Sequence, residues 1–216
     1  MRNMKSVLKL FTLFLVCVLF FNGTTIKCFE GKIFFKSIKP GKKEVYVYYV
    51  KDDKVRLDQI SDGVINGTYL VNSTKQEIFG LTPKHKLYVQ KEYKDITYPR
   101  NENIEVIKTG KIRSIHGYNC EEVKVNDKEK DSYITYYISQ KNFDFFRPLL
   151  QCLNRKEMLS INYFQVEGMT RDFPFFGVDK SSNGMEKHRL EVTLISEEEI
   201  SDDWFEIPHD FSEQKR

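Results

Sequence analysis

The fold turns on KIRSIHGYNCEEVKVNDKEKDSYITYYI, Lys111 to Ile138. Gly117 marks a bend, and the polar run from Asp127 to Asp131 separates two strand-length segments. In the first, Tyr118–Asn126, Tyr118 and Cys120 share one parity while Val123 and Val125 share the other. A β-bulge near Glu121-Glu122 would reconcile them. In the second, Ser132–Ile138, residues Ile134, Tyr136 and Ile138 alternate with Tyr133, Thr135 and Tyr137. Bulk on both faces predicts cover on both sides of this strand. The cover is expected from one main helix, in which Phe146, Leu150 and Leu153 recur at i, i+4 and i+7. Asn142 or Asp144 is its expected cap. Pro148 is tolerated only in a first turn, which sets the start near Asp144.

Toward the N-terminus the chain reads as a meander. Ile33–Ile38, Glu44–Val50 and Lys54–Ile60 are separated by Lys39-Pro40-Gly41-Lys42 and Lys51-Asp52-Asp53. Asp62-Gly63 and Asn66-Gly67 are read as turns flanking a strand through Tyr69–Asn72, and Lys75–Phe79 follows. No helical segment interrupts these strands, which excludes a βαβ arrangement. Thr82–Pro99 reads as a strand or an irregular loop, and Ile104–Lys108 as a strand. Beyond the helix, Leu159–Val166 reads as strand-like and Thr170–Val178 as a strand. His188–Ile195 places Leu190, Val192 and Leu194 on one face, the pattern of a half-buried antiparallel strand. Ser196–Asp203 is an acidic loop or short helical turn.

The ends set the compartment. Arg2, Lys5 and Lys9 precede LKLFTLFLVCVLFF and the small residues Gly23, Thr24 and Thr25, the plan of a secretory signal peptide. The apolar run is shorter than the ~20 residues that span a bilayer. The expected organisation is a signal peptide over 1–25, with a cut as late as 28, one β-rich domain over 29–211 and a polar tail over 212–216. Cys28 as a lipidated residue is the alternative, against which Lys27 stands where a lipobox needs a small residue. Removing 1–25 takes away three cations and no acid, so the net charge of +3 falls to zero. A neutral chain lacks the basic face that nucleic-acid binding needs.

Cys120 and Cys152 are the pair left after processing, apart from Cys28. In an oxidising compartment they form either a disulfide or two buried thiols that behave as small hydrophobes. No catalytic, metal or cofactor motif is present. His85, His116, His188 and His209 lie far apart, and none has a ligand at metal spacing. Asp52-Asp53, Asp202-Asp203 and Glu197–Glu199 read as turn chemistry and a solvated run. Asn66-Gly67-Thr68 and Asn72-Ser73-Thr74 fit the glycosylation sequon, which matters in a eukaryotic secretory pathway.

What remains is shape. The expected fold is mainly β: one twisted antiparallel sheet curled into a partial barrel around the main helix. A gap between sheet and helix would be lined by apolar side chains. The candidates are Phe34, Tyr46, Tyr48, Tyr136, Ile138, Phe146, Leu150, Phe173, Phe175, Leu190 and Val192, each of which, taken singly, reads as filled core ahead of ligand contact.

The opening Phe29-Glu30-Gly31, the segment KTGKIRSIHGYNCEEVKV, the tyrosine-rich ITYYIS, and the closing DFPFF, RLEVTLIS and WFEIP resemble a bacterial cell-envelope family of unknown function. That family is similar to the LolA and LppX lipoprotein carriers. The resemblance implies an incomplete antiparallel barrel around a helical lid in the periplasm or outer envelope. It implies no enzymatic activity and no cofactor, with a lipid or lipoprotein acyl chain as the partner. Such carriers use an arginine on the lid; Arg56 and Arg113 are the candidates. The other reading is a packed interaction or envelope-stress sensor module, whose partner is an envelope protein.

Overall fold

The computed structural model describes residues 27–169 and 171–214; the expected signal peptide lies outside them, as do residues 215 and 216. The first arm of the sheet is a six-strand meander: β1 (Gly31–Lys39), β2 (Lys42–Lys51), β3 (Lys54–Ser61), β4 (Val64–Asn72), β5 (Glu77–Thr82) and β6 (Leu87–Lys91). The second arm holds β7 (Ile104–Ile115), β8 (Tyr118–Asp127), β9 (Ser132–Gln140), β10 (Asp172–Lys180) and β11 (Glu186–Glu197). Antiparallel pairing of β1 with β11 joins the arms. The short β12 (Ser212–Glu213), in what reads as a polar tail, adds in parallel to the edge of β6. The result is one open 12-stranded sheet in the order β12-β6-β5-β4-β3-β2-β1-β11-β10-β9-β8-β7.

Topology forces the sheet to curl. Strands β6 and β7 are ten strand spacings apart, which is ~48 Å in a flat sheet. Residues 92–103 join them, and even fully extended the link from Lys91 to Ile104 reaches only ~43–47 Å. It crosses the concave side, where Tyr98 stacks on Phe164 with ring centroids 4.1 Å apart. The Asn101 N–H donates to Gln165 Oε1 (2.9 Å), and Gln165 Nε2 donates to the Pro99 carbonyl (3.1 Å).

The helical part departs from the expected single main helix. Two short helices form the lid, α1 (Phe146–Leu153) and α2 (Met158–Ile161), followed by a 3₁₀ turn at Asn162–Gln165. Leu159–Val166 is therefore helical rather than a strand; its burial comes from turns laid on the sheet, not from pairing. Neither Asn142 nor Asp144 caps α1. Asp144 instead pairs with Arg171 at 2.8 Å, and Asn142 takes φ 62°. Asn154, at φ 46°, ends α1 in the left-handed conformation that asparagine tolerates.

Local irregularities explain other departures. The bulge near Glu122 is real, but the extra residues, Thr109 to Lys111, are on β7. Asn66-Gly67 lies inside β4, beside a register shift, and makes no turn. A register shift of β1 against β11 leaves Thr193 between the partners of Phe34 and Phe35. Val192 therefore faces inward while Leu194 is turned outward and is 52% exposed.

The outer face of the first arm is covered by the C-terminal segment. Trp204 stacks on Tyr49 at 4.6 Å, Asp202 pairs with Lys51 (3.0 Å) and Lys54 (2.9 Å), and the Ile200 N–H bonds Glu30. Arg56 belongs to this layer, donating to Asp58 at 2.9 Å and lying 5.1 Å from the Trp204 ring. Arg113 stacks over Tyr137 on the second arm. Neither arginine reaches the lid.

Cys120 and Cys152 are unbonded buried thiols, contrary to a bridge. They lie apart: Cys120, on β8 of the second arm, directs its S–H to the Tyr118 carbonyl, while Cys152, on α1 of the lid, faces Tyr69 and Ile78 on β4 and β5 of the first. Burial pushes the Cys120 thiol up to about 11, which keeps it in the unreactive protonated form.

Candidate functional site: a cavity between sheet and lid

Between the concave face of the sheet and the lid lies a cavity of about 300 Å³, at the small end of the ~300–1,000 Å³ typical of ligand sites. Strand alternation builds its floor. Phe35 and Ser37 of β1 and Tyr46 and Tyr48 of β2 point inward at period two, as do Leu190 and Val192 beyond the β11 irregularity. Tyr136 of β9 and Phe173 of β10 complete the floor. Phe146 and Leu150 of α1, one turn apart, and Leu159 of α2 form the roof.

Gly177 lets Tyr136 and Leu159 pack close to the β10 backbone. A Cβ there would stand 3.1 Å from the Tyr136 ring and 3.3 Å from Leu159. Tyr136 is 1% exposed, and its hydroxyl donates to the Leu159 carbonyl at 2.9 Å, tying floor to roof. A second tie holds α1. Arg147 Nε and Nη2 donate to the two Asp172 oxygens (3.0 and 2.9 Å), Nη2 also reaches the Val166 carbonyl, and Tyr163 Oη donates to Asp172 at 2.9 Å. Arg147, on the lid itself, thus makes an arginine contact between lid and sheet, which neither candidate, Arg56 or Arg113, makes. Its signal in the sequence was slight: an arginine beside Pro148 on an apolar helix.

Eight of the candidates line the cavity: Tyr46, Tyr48, Tyr136, Phe146, Leu150, Phe173, Leu190 and Val192. Ile138 and Phe175 do not; both are closed into the core beside it. Phe34 sits opposite Val47 on the outer face, and Phe35 takes its expected place. With two adjacent phenylalanines, only the inward set Ile33, Phe35 and Ser37 identifies the right one.

The cavity end near the β1–β2 turn is polar, with Lys39, Lys42, Glu44, Gln59, Arg155, Glu157 and His188. Burial pushes the Tyr46 and Tyr48 phenols up to about 12; Glu44 adds to the shift at Tyr46 and Arg155 opposes it at both. His188 is 8% exposed, and its Nε2 lies 2.8 Å from Ser37 Oγ. Burial lowers its pKa to about 4, with Lys39 and Arg155 pushing down and Glu157 and Glu44 pushing up. A lone strand histidine gives no signal in sequence; register alone brings it here.

This histidine predicts a pH effect. Unfolded, it binds a proton near 6.5; folded, only near 4. Between those values the unfolded state holds more protons, so stability rises with pH. The contribution is full above pH 6.5 and gone below pH 4, about 2 kcal/mol once screening at the cavity edge is allowed for. His188→Gln should reduce the stability difference between pH 7 and pH 4 by that amount in urea melts. An unchanged difference would refute the assignment.

Among the described residues, no group of three His, Cys, Asp or Glu is placed to hold a metal, and no helix is long and apolar enough to cross a membrane. The fold is similar to that of an uncharacterized conserved protein from Thermus thermophilus, with TM-score 0.53 and 8% identity, covering 86% of this chain and 89% of that one. It resembles more weakly a chain of the Pseudomonas aeruginosa MucA/MucB complex, with TM-score 0.49 and 9% identity, covering 83% of this chain and 56% of that one. The likeness to PNGF-II is weaker still, with TM-score 0.46 and 14% identity over 85% of this chain and 31% of that one. No curated protein matches the chain. A family profile matches residues 29–211, and the chain belongs to that family, the domain of unknown function DUF4412.

Proposed function

We propose that this is an exported, non-enzymatic envelope protein that holds the acyl chain of a lipid or lipoprotein between sheet and lid. The observation that carries the reading is the cavity itself: an aromatic and aliphatic interior that opens to a charged end. An acyl chain gains ~0.8 kcal/mol for each methylene it buries in such a space, while its polar end stays among the charged side chains. The LolA-like plan of an incomplete barrel under a helical lid agrees with this use.

Ser37 and His188 form the one pair suggestive of acyl-transfer chemistry. A histidine with a pKa of about 4 is a weak base at neutral pH. Among the described residues no carboxylate hydrogen-bonds its other ring nitrogen. The pair is read as a polar lining element.

The test is native mass spectrometry of the mature protein purified from an envelope-containing host, with organic extraction of the same sample. The expected result is a stoichiometric acyl-bearing ligand, lost in Leu190→Trp, which fills the cavity. A ligand-free mass in gentle preparations would sink the reading.

One observation favours the second reading, an interaction module. The edge strand β7 is long and exposed, with Ile112 70% accessible and Ile107 and Val106, on opposite faces, both exposed as well. Such an edge can accept a partner strand. A ligand-free mass together with an envelope protein retained on β7 would favour it.

A further inference from the structure

The turn between α1 and α2, residues 154–157, has space on both sides. One side is the acyl cavity. On the other, a chamber of about 650 Å³ lies between the lid and the inner face of β4, β5 and β6. Arg155 and Glu157 line both spaces, so they form the shared wall. The chamber floor is Tyr69 and Ile78, with Cys152 and Leu153 of α1 facing them and the rest open toward solvent.

Its charge differs from that of the cavity. The charged lining of the acyl cavity is balanced: Lys39, Lys42 and Arg155 against Glu44, Glu157 and Glu191. The chamber has four cations, Lys91, Lys94, Arg155 and Lys156, against Glu92 and Glu157. Two of the four are positioned by the fold. Lys91 donates to the Tyr69 hydroxyl at 3.0 Å and lies 4.5 Å from that ring's centroid. Arg155 lies 5.9 Å from the Tyr46 ring on the cavity side. Its nearest carboxylate, Glu157, is 3.9 Å away, beyond hydrogen-bond length. The guanidinium fork, suited to phosphate and carboxylate oxygens, is thus held in the shared wall with no carboxylate among the described residues at hydrogen-bond distance. Asn154 adds a buried Oδ1 with no donor, in the same wall.

We infer that the chamber receives an anionic headgroup, phosphate or carboxylate with a hydroxyl, while the tail of the same molecule occupies the acyl cavity. The ligand class is therefore an anionic amphiphile, threaded past Arg155. Lys91 and Arg155 bind the anion, and Asn154 Oδ1 accepts from the hydroxyl. This assignment rests on the acyl-chain reading and adds the head to it.

The experiment titrates the mature full-length protein with two probes that share one lauroyl tail, lysophosphatidylglycerol and lysophosphatidylcholine, below their micellar concentrations. sn-Glycerol 3-phosphate is the tail-free control. The inference expects the anionic probe to bind about tenfold more tightly than the zwitterionic one. Arg155→Gln and Lys91→Gln should each erode that preference, lowering affinity for lysophosphatidylglycerol more than for lysophosphatidylcholine. Equal affinity of both lipids for the unaltered protein would overturn the headgroup assignment and leave the acyl cavity standing. Binding of neither lipid would overturn both. Glycerol phosphate binding as tightly as the anionic lipid would make the chamber a soluble-phosphate site, which also overturns the inference.

Discussion

Arg147→Met is expected to cost about 3–5 kcal/mol of stability, the range for removing one partner of a buried ion pair. Asp172, at the start of β10, is 1% exposed and receives both guanidinium donors of Arg147. Without them it keeps the Tyr163 hydroxyl, far from enough to replace water around a carboxylate. The methionine keeps the stem that packs along α1, so the loss isolates the charge. The double variant Arg147→Met with Asp172→Leu should recover most of it, because the stranded charge is then gone. Denaturant midpoints for the two single variants and the double variant check this. A loss below ~1 kcal/mol in Arg147→Met would show that the pair does not hold the lid.

Phe143→Ala should cost a comparable amount, about 3–5 kcal/mol. Phe143 lies in the link between β9 and α1. Its ring centroid is 5.3 Å from Phe29, 5.6 Å from Tyr118, 5.3 Å from Phe173 and 5.7 Å from Phe175. The surrounding backbone is pinned, since the Phe29 N–H donates to the Asn142 carbonyl and the Phe143 N–H to that of Arg171. A site held by strands on several sides cannot collapse into the space left. Leu190→Ala is the contrast, because it borders existing space and creates little new cavity. If both variants melt alike, the division into packed cluster and open cavity is wrong.

The alternation and turn chemistry of the chain determined the class of fold. Ile134, Tyr136 and Ile138 against their polar-edged neighbours, and punctuation such as Pro40-Gly41 and Asp62-Gly63, are local signals. They act over two to four residues and survive without knowledge of partners. The family resemblance in the closing strands is equally local. The inward set on β2 was legible for the same reason, since Tyr46 and Tyr48 stand two apart.

Tertiary structure alone decided the rest. The register shift beside Thr193 reverses the direction of Leu194, and only pairing with β1 creates it. Leu159–Val166 is apolar enough for a strand, yet β9 and β10, which flank it in the chain, pair with each other, and it lies over them in the lid. Cys120 and Cys152 were candidates for a bridge because of compartment, and their placement on β8 and on the far side of α1 keeps them apart. His188 and Arg155 carried no sequence signal and Arg147 only a slight one, because each takes its role from residues far away in the chain: Ser37 for His188, Asp172 for Arg147 and the facing tyrosines for Arg155. Short-range patterns write strands and turns. Cavities and charge partners come from long-range pairing, which a single sequence does not display.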